Sequence, residues 1–173
     1  MKTRLSTKFV IVVLLIIVGL MALPTTPVQA ANSTPNTVDT RLENLLMREK
    51  IALNNQADRL ARTGEVIDRT EKLIQKYKDQ GVNTTELEKA LASYQEGIQA
   101  AQEYHGKAAS ILANPAGFDA NGKVVNRKQA LETVRTAGNA LRRAHLEITE
   151  ATLDLRVAVR TFIEEYKSDE TQP

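Results

Sequence analysis

Residues 84–113, TTELEKALASYQEGIQAAQEYHGKAASILA, settle the fold class. Along them Leu87, Leu91, Tyr94, Ile98, Ala101, His105, Ala108 and Leu112 recur at alternating steps of four and three without a break. Steps of this kind keep side chains on one face of an α-helix, and a run this long is a coiled-coil seam. Thr85 and Glu88 have the spacing of a capping box, which satisfies two backbone N–H groups at a helix start. Asn114-Pro115 closes the stretch, because the residue before a proline is pushed out of the helical region. The spacing predicts a helix over 84–113.

Upstream, Leu46, Leu53, Leu60, Ile67 and Ile74 stand seven apart in a stretch without proline. They predict a long helix over 38–80, with Gly81 as its C′ stop. The flanking seam positions are weaker: Glu49, Gln56, Ala57, Thr63, Gly64, Thr70 and Tyr77. Gly64 costs about 1 kcal/mol relative to alanine inside a helix and predicts a bend or a close helix contact. Downstream, residues 114–126 (NPAGFDANGKVVN) predict a loop with a turn at Asn121-Gly122, anchored by Phe118, Val124 and Val125. Asn126 and Gln129 form a second capping box. A third helix follows over 127–167, with its seam at Leu131, Val134, Gly138, Leu141, His145, Ile148, Thr152, Leu155, Val159, Phe162 and Tyr166. Residues 31–37 (ANSTPNT) read as a flexible linker and 168–173 as a disordered polar tail.

Three helices with one apolar stripe each must pair to bury it. The expected fold is all-α: one domain over 38–167, an elongated antiparallel three-helix bundle of long, shorter and long arms, with the loop running along the lower end of the first. In that register a residue of the third helix lies beside the residue about 89 earlier in the first, and second- and third-helix residues are level when their numbers sum to about 250. The third helix is basic from Lys123 to Arg143 and acidic from Glu147 to Glu170, against the sense of the helix dipole. The register sets Glu164 and Glu165 level with Lys72, Lys76 and Lys78, and Arg135 and Arg142 near Glu43, Glu49 and Asp58. Interhelical ion pairs are expected there.

The first thirty residues read separately. Lys2, Arg4 and Lys8 precede an apolar run from Phe9 to Leu23, and Val28-Gln29-Ala30 ends the segment. This is the pattern of a secretory signal peptide cleaved between Ala30 and Ala31, the run being short of the roughly 20 residues that span a bilayer. A retained run would instead make the chain a membrane-anchored coiled-coil spacer. The formal charge of +2 belongs to this segment, since its removal leaves 20 basic residues against 21 acidic. Export places the protein outside the cytoplasm, in the periplasm, cell envelope or extracellular space. Asn32 and Asn83 open Asn-x-Thr or Asn-x-Ser sequons that matter only in a glycosylating host.

The absence of cysteine from the sequence excludes disulfides, thiol nucleophiles and Cys-ligated metals. The near-neutral balance makes no case for nucleic-acid binding, and no phosphate loop, nucleophile elbow or activated Ser–His pair is present. No enzyme and no cofactor are expected. Both histidines, His105 and His145, fall on seam positions and are level in the expected register. They are candidates for a metal or haem ligand pair or a pH-sensing pair, or for polar residues that fix register. Asp119-Ala120-Asn121-Gly122 lacks the spacing of a calcium loop. Arg127, Lys128, Arg135, Arg142 and Arg143 are candidates for an anion-binding patch, though ion pairing within the bundle accounts for them equally. Tyr77, Tyr94, Tyr104 and Tyr166 are too dispersed to stack bases. The reading that follows is a non-enzymatic exported bundle acting as a scaffold or interaction module, with self-association or a protein partner; a ligand-, metal- or pH-sensing bundle is the alternative.

Overall fold

The structure, a computed structural model, describes residues 38–170, with side chains through Tyr166. The expected signal segment, its Ala30–Ala31 junction and the linker lie outside the described residues, as do the last three of the tail; its first three, 168–170, continue the last helix instead of being disordered. Among the described residues the fold is all-helical: α1 (Val38–Ala61), α2 (Thr63–Lys78), α3 (Thr85–Ala113) and α4 (Arg127–Glu170). α1 and α2 form one arm and α3 and α4 the other two, so three helical arms are present. None of these helices is long and apolar enough to cross a membrane.

The first arm is not continuous. It breaks at Arg62, where the backbone N–H bonds back three residues to Arg59 (3.2 Å) and the Thr63 hydroxyl donates to the Leu60 carbonyl (2.7 Å). The break falls two residues before Gly64, which has open space around it and makes no close contact. At the far end Gly81 adopts φ +77°, with Gly81 N–H on the Lys78 carbonyl and Val82 N–H on the Tyr77 carbonyl. This is the double bond of a Schellman stop.

The start of α3 differs from the expected capping box. Asn83 Oδ1 accepts the Thr85 N–H (3.1 Å), while the Thr84 hydroxyl donates to the Glu88 carboxylate. Glu88 is also held by Lys78 at 3.1 Å, so besides accepting from the Thr84 hydroxyl it ties α2 to α3. At α4, Asn126 Oδ1 accepts the Gln129 N–H (3.1 Å) as the spacing predicts.

Side-chain pairs fix the alignment. α1 and α2 run beside α4 in the same sense, joining residues 85 to 88 apart, from Asp39–Arg127 through Gln56–Leu141 to Gln80–Tyr166. α3 lies against α4, with Gly97 on Ala151 within two residues of the expected level. The loop turns at Gly122 (φ +78°), pairs Phe118 with Val124, and lies along α1 through Lys123 to Glu43 (2.8 Å) and Arg127 to Asp39 (2.8 Å). Val125 does not anchor it: this side chain is exposed, because Phe118 and Val124 alternate inward around it.

Two apolar clusters fill the interior. One holds Leu42, Leu46, Ala108, Leu112, Ala130, Val134, Ala137 and Leu141. The other holds Ile74, Leu87, Leu91, Tyr94, Ile98, Ala101, Ala144, Ile148, Ala151, Leu155, Val159 and Ile163. The α4 seam is rotated from the expected one. Val134, Leu141, Ile148 and Leu155 are buried as predicted, yet Leu131 and His145 are exposed, and the adjacent row Ala130, Ala137, Ala144 and Ala151 takes the interior. Alanine wins there because it lets the helix backbones approach where leucine would hold them apart.

Candidate functional site

Between the two apolar clusters lies a polar waist, and each arm contributes to it. α1 supplies Gln56, which occupies a buried seam position between Leu53 and Leu60. Its amide nitrogen donates to the Leu141 carbonyl of α4 at 3.1 Å, leaving the amide oxygen to meet His105 Nδ1 of α3 at 3.1 Å. That orientation makes His105 Nδ1 the donor of the pair. One residue thus bridges all three arms.

One turn further along α1, Arg59 Nη1 lies 3.0 Å from His145 Nδ1. A guanidinium can only donate, so His145 Nδ1 must accept and the ring must be neutral. The Nε of Arg59 is buried with no hydrogen-bond partner among the described residues. Glu49, two helical turns below Gln56, rests its carboxylate over Gly138, whose missing side chain makes the space. Burial raises the Glu49 carboxyl above its ordinary range against the pull of Arg48 and Arg142.

The two histidines are therefore tied to two different residues of the first arm, His105 to Gln56 and His145 to Arg59, and His145 leaves the seam altogether. No group of three or more His, Cys, Asp or Glu side chains among the described residues is placed to hold a metal ion. What the waist can do is fix alignment: sliding any arm by one turn would strand the buried Gln56 amide. In the sequence Gln56 and Thr70 stand only as weak flanks of the heptad row. Both are more deeply buried than Leu53, Leu60 and Ile67 of the heptad row beside them.

The expected ion pairs between the halves of α4 and the first arm form only in part. Outside the expected set, Lys123 and Arg127 reach α1; Glu164 bonds Arg160 on its own helix and Lys78 bonds Glu88. Arg142, though exposed, lies near enough to Glu49 for its charge to act on that carboxyl, as the register sets it, and Arg135 is exposed. Of the basic candidates, Arg143 lies over the Tyr104 ring, 5.8 Å from its centroid, and Arg127 is held by Asp39. Tyr77 packs edge-on to Phe162 and Tyr166, closing the end of the bundle.

Burial lowers the pKa of His105, and burial followed by the Arg59 charge lowers that of His145. The unfolded chain then binds protons that the folded chain refuses. The stability carried by the neutral rings is complete above the unfolded histidine pKa of about 6.5, and is lost as pH falls through that value toward the lowered folded ones. Glu49 acts in the opposite sense, since its raised carboxyl is relieved by acid. The urea midpoint is expected to fall between pH of about 7.5 and 5, and to fall less in a His105→Gln/His145→Gln variant. Equal falls in both proteins would place the acid sensitivity elsewhere. No protein-family model, curated protein or solved structure matches the chain.

Proposed function

We propose that the chain is an exported, non-enzymatic bundle, elongated and coiled-coil-like, that works in the cell envelope or extracellular space by presenting its outer faces to protein. The observation that carries this reading is a misallocation of apolar side chains. The interior is filled at six positions by alanine (Ala101, Ala108, Ala130, Ala137, Ala144, Ala151), while Met47, Ile51, Leu131, Leu146, Leu153 and Val157 are about half exposed or more. Each of these half-exposed side chains forgoes about half of the roughly 1.5–3 kcal/mol that full burial gives. In a chain this poor in large apolar residues, clustering them on outer helix faces favours a surface that another protein covers.

The polar waist supports the same reading, because a bundle that offers an ordered surface needs its arms fixed in one register. The test is photo-crosslinking in the producing cell from positions 47 and 146, one on each face. Protein adducts are expected. They should disappear when Ile51 and Leu153 are replaced by Gln, substitutions expected to change stability by less than about 0.5 kcal/mol. A chain that yields no protein adduct from either position, with itself or with any other protein, overturns the reading.

A further inference from the structure

We infer that the trough between the first arm and α4 binds a linear phosphate polymer, laid along two rows of basic side chains. This goes beyond the reading of the chain as a protein-interaction bundle and does not depend on it.

The rows follow from heptad spacing. Arg41, Arg48, Arg62 and Arg69 hold one heptad position of the first arm, with Asn55 among them. Lys128, Arg135, Arg142 and Arg156 hold one heptad position of α4, with Thr149 among them. Positions seven apart share a face in helices that coil about each other. Arg156 is half-buried and the other cations are exposed. Two contacts set both faces on the same trough. Arg59, which reaches His145 of α4 at 3.0 Å, stands on the flank of the first arm that carries Arg62 one turn later. The charges of Arg48 and Arg142, one from each row, both act on the Glu49 carboxyl, which rests over Gly138. The other flank of α4 turns Arg143 to Tyr104 and Ala151 to Gly97 of α3, and helical periodicity carries Glu147 and Asp154 that way too.

The offset of 85 to 88 residues between the two elements brings the rows level. Arg41 stands opposite Lys128, Arg48 opposite Arg135 and Arg69 opposite Arg156. Where one row carries a neutral side chain the other carries an arginine: Asn55 is opposite Arg142, and Thr149 is opposite Arg62. Each level therefore holds a cation, and the levels repeat about every 10.5 Å along about 42 Å of trough. Among the described residues none of Arg41, Arg48, Arg62, Arg135, Arg142 and Arg156 enters an ion pair. Arg69 is paired with Glu65 at 3.3 Å, with both side chains well exposed and able to exchange partners. A cleft lined by one sign of charge concentrates counter-ions of the other, so a chain that is near neutral overall still has one strongly basic track.

The track fits a particular occupant. A phosphate presents oxygens on several sides, so an arginine from each row can donate to the same group, whereas the two oxygens of a carboxylate match one guanidinium fork. Length favours a polymer over a lone anion, because a single phosphate engages one level and leaves the rest unanswered. No tyrosine lines the track, since Tyr77 and Tyr94 are buried and Tyr104 lies on α3, so nothing there stacks the bases of a nucleic acid. A bilayer would cover the full width of both helices and meet Asp58 and Glu65 on one rim and Glu132 and Glu150 on the other.

The test is calorimetric titration of the protein with medium-chain linear polyphosphate over a series of salt concentrations. Binding is expected, with log K falling against log salt at a slope of about −3 to −5, as for release of about five to seven counter-ions from a single-stranded polyanion. The Arg48→Gln/Arg135→Gln/Arg142→Gln variant should bind at least about tenfold more weakly, with the slope smaller by about 2. The Lys50→Gln/Lys89→Gln/Lys107→Gln variant removes the same charge away from the trough and should bind as wild type does. All six side chains are exposed, so both variants should keep the helical circular dichroism of the parent, which checks that they are folded. No binding to polyphosphate, or equal losses in the two variants, overturns the inference. So does equal or tighter binding, at matched anion concentration, to inorganic phosphate, polyglutamate, a single-stranded oligonucleotide or phosphatidylglycerol vesicles, since each of these would be a different ligand.

Discussion

Replacing Gly117 by alanine is expected to destabilise the protein by roughly 3–5 kcal/mol, a large share of the 5–15 kcal/mol that ordinarily holds a domain folded. Two independent costs add at this residue. Gly117 has φ +86°, where an L-residue with a Cβ loses about 1–2 kcal/mol. A Cβ there would also fall 2.2 Å from the Ala130 backbone nitrogen and 2.6 Å from the Asn126 carbonyl oxygen, both parts of the first turn of α4. Backbone cannot swing aside as a flexible side chain does. The Gly117 carbonyl also accepts the N–H groups of Val125 (2.9 Å) and Asn126 (3.1 Å), so moving it disturbs the residue that caps α4. Gly122 is the control. Its φ of +78° is similar, but its nearest neighbour is a Leu46 methyl at 3.7 Å, so Gly122→Ala should cost only about 1 kcal/mol. Urea unfolding followed by circular dichroism measures both. If Gly117→Ala unfolds no more easily than Gly122→Ala, the close approach of the loop to α4 is wrong.

Much of this architecture was legible because it rests on period and punctuation. The uninterrupted 4, 3 alternation from Leu87 to Leu112 has no strand reading, and Gly81, Pro115 and Asn126 mark chain reversals by backbone chemistry that acts locally. The failures share one physical origin. Sequence reading weights a seam by the size of its apolar residues, which favoured Leu131 and His145 on α4 and Leu53 and Leu60 on the first arm. Where helices pack most closely, however, small residues are selected, and the interior shifted by one position to Ala130 and Ala144. The same shift moved His145 out of the seam and into contact with Arg59, so the expected face-to-face histidine pair became two separate polar contacts. Gln56 was visible only as a weak flank, because an amide is recognisable as a bridge only once its three partners have been brought together. The break at Arg62 was marked only by Gly64, two residues beyond it.

Replacing Ala144 by leucine is expected to cost about 2–4 kcal/mol, although it adds apolar surface to an apolar core. Ala144 is fully buried in the cluster that holds Ile98 and Ile148, and its heptad neighbours on α4, Ala137 and Ala151, are buried with it. How tightly α3 approaches this row can be read from Gly97: a Cβ built there would lie 2.8 Å from the Ala151 Cβ, closer than two carbons tolerate. Three extra carbons at position 144 must therefore push α3 away or leave their rotamers, and either route opens gaps around Ile98 and Ala101, which belong to the same cluster. The approach is local, and glycines on one helix report it. Gly97→Ala should cost about 1–2 kcal/mol through overpacking, whereas Gly106→Ala, with no atom within 4 Å of the new methyl, should gain about 0.5–1 kcal/mol by restraining the unfolded chain and improving helix propensity. The three variants can be ranked by urea midpoint at pH of about 8, where the histidines are neutral in folded and unfolded chain alike. The expected order of stability is Gly106→Ala, wild type, Gly97→Ala, Ala144→Leu. If Ala144→Leu proves as stable as wild type, the α3–α4 pair has room that close packing denies it, and alanine would have taken the interior row for some reason other than helix approach.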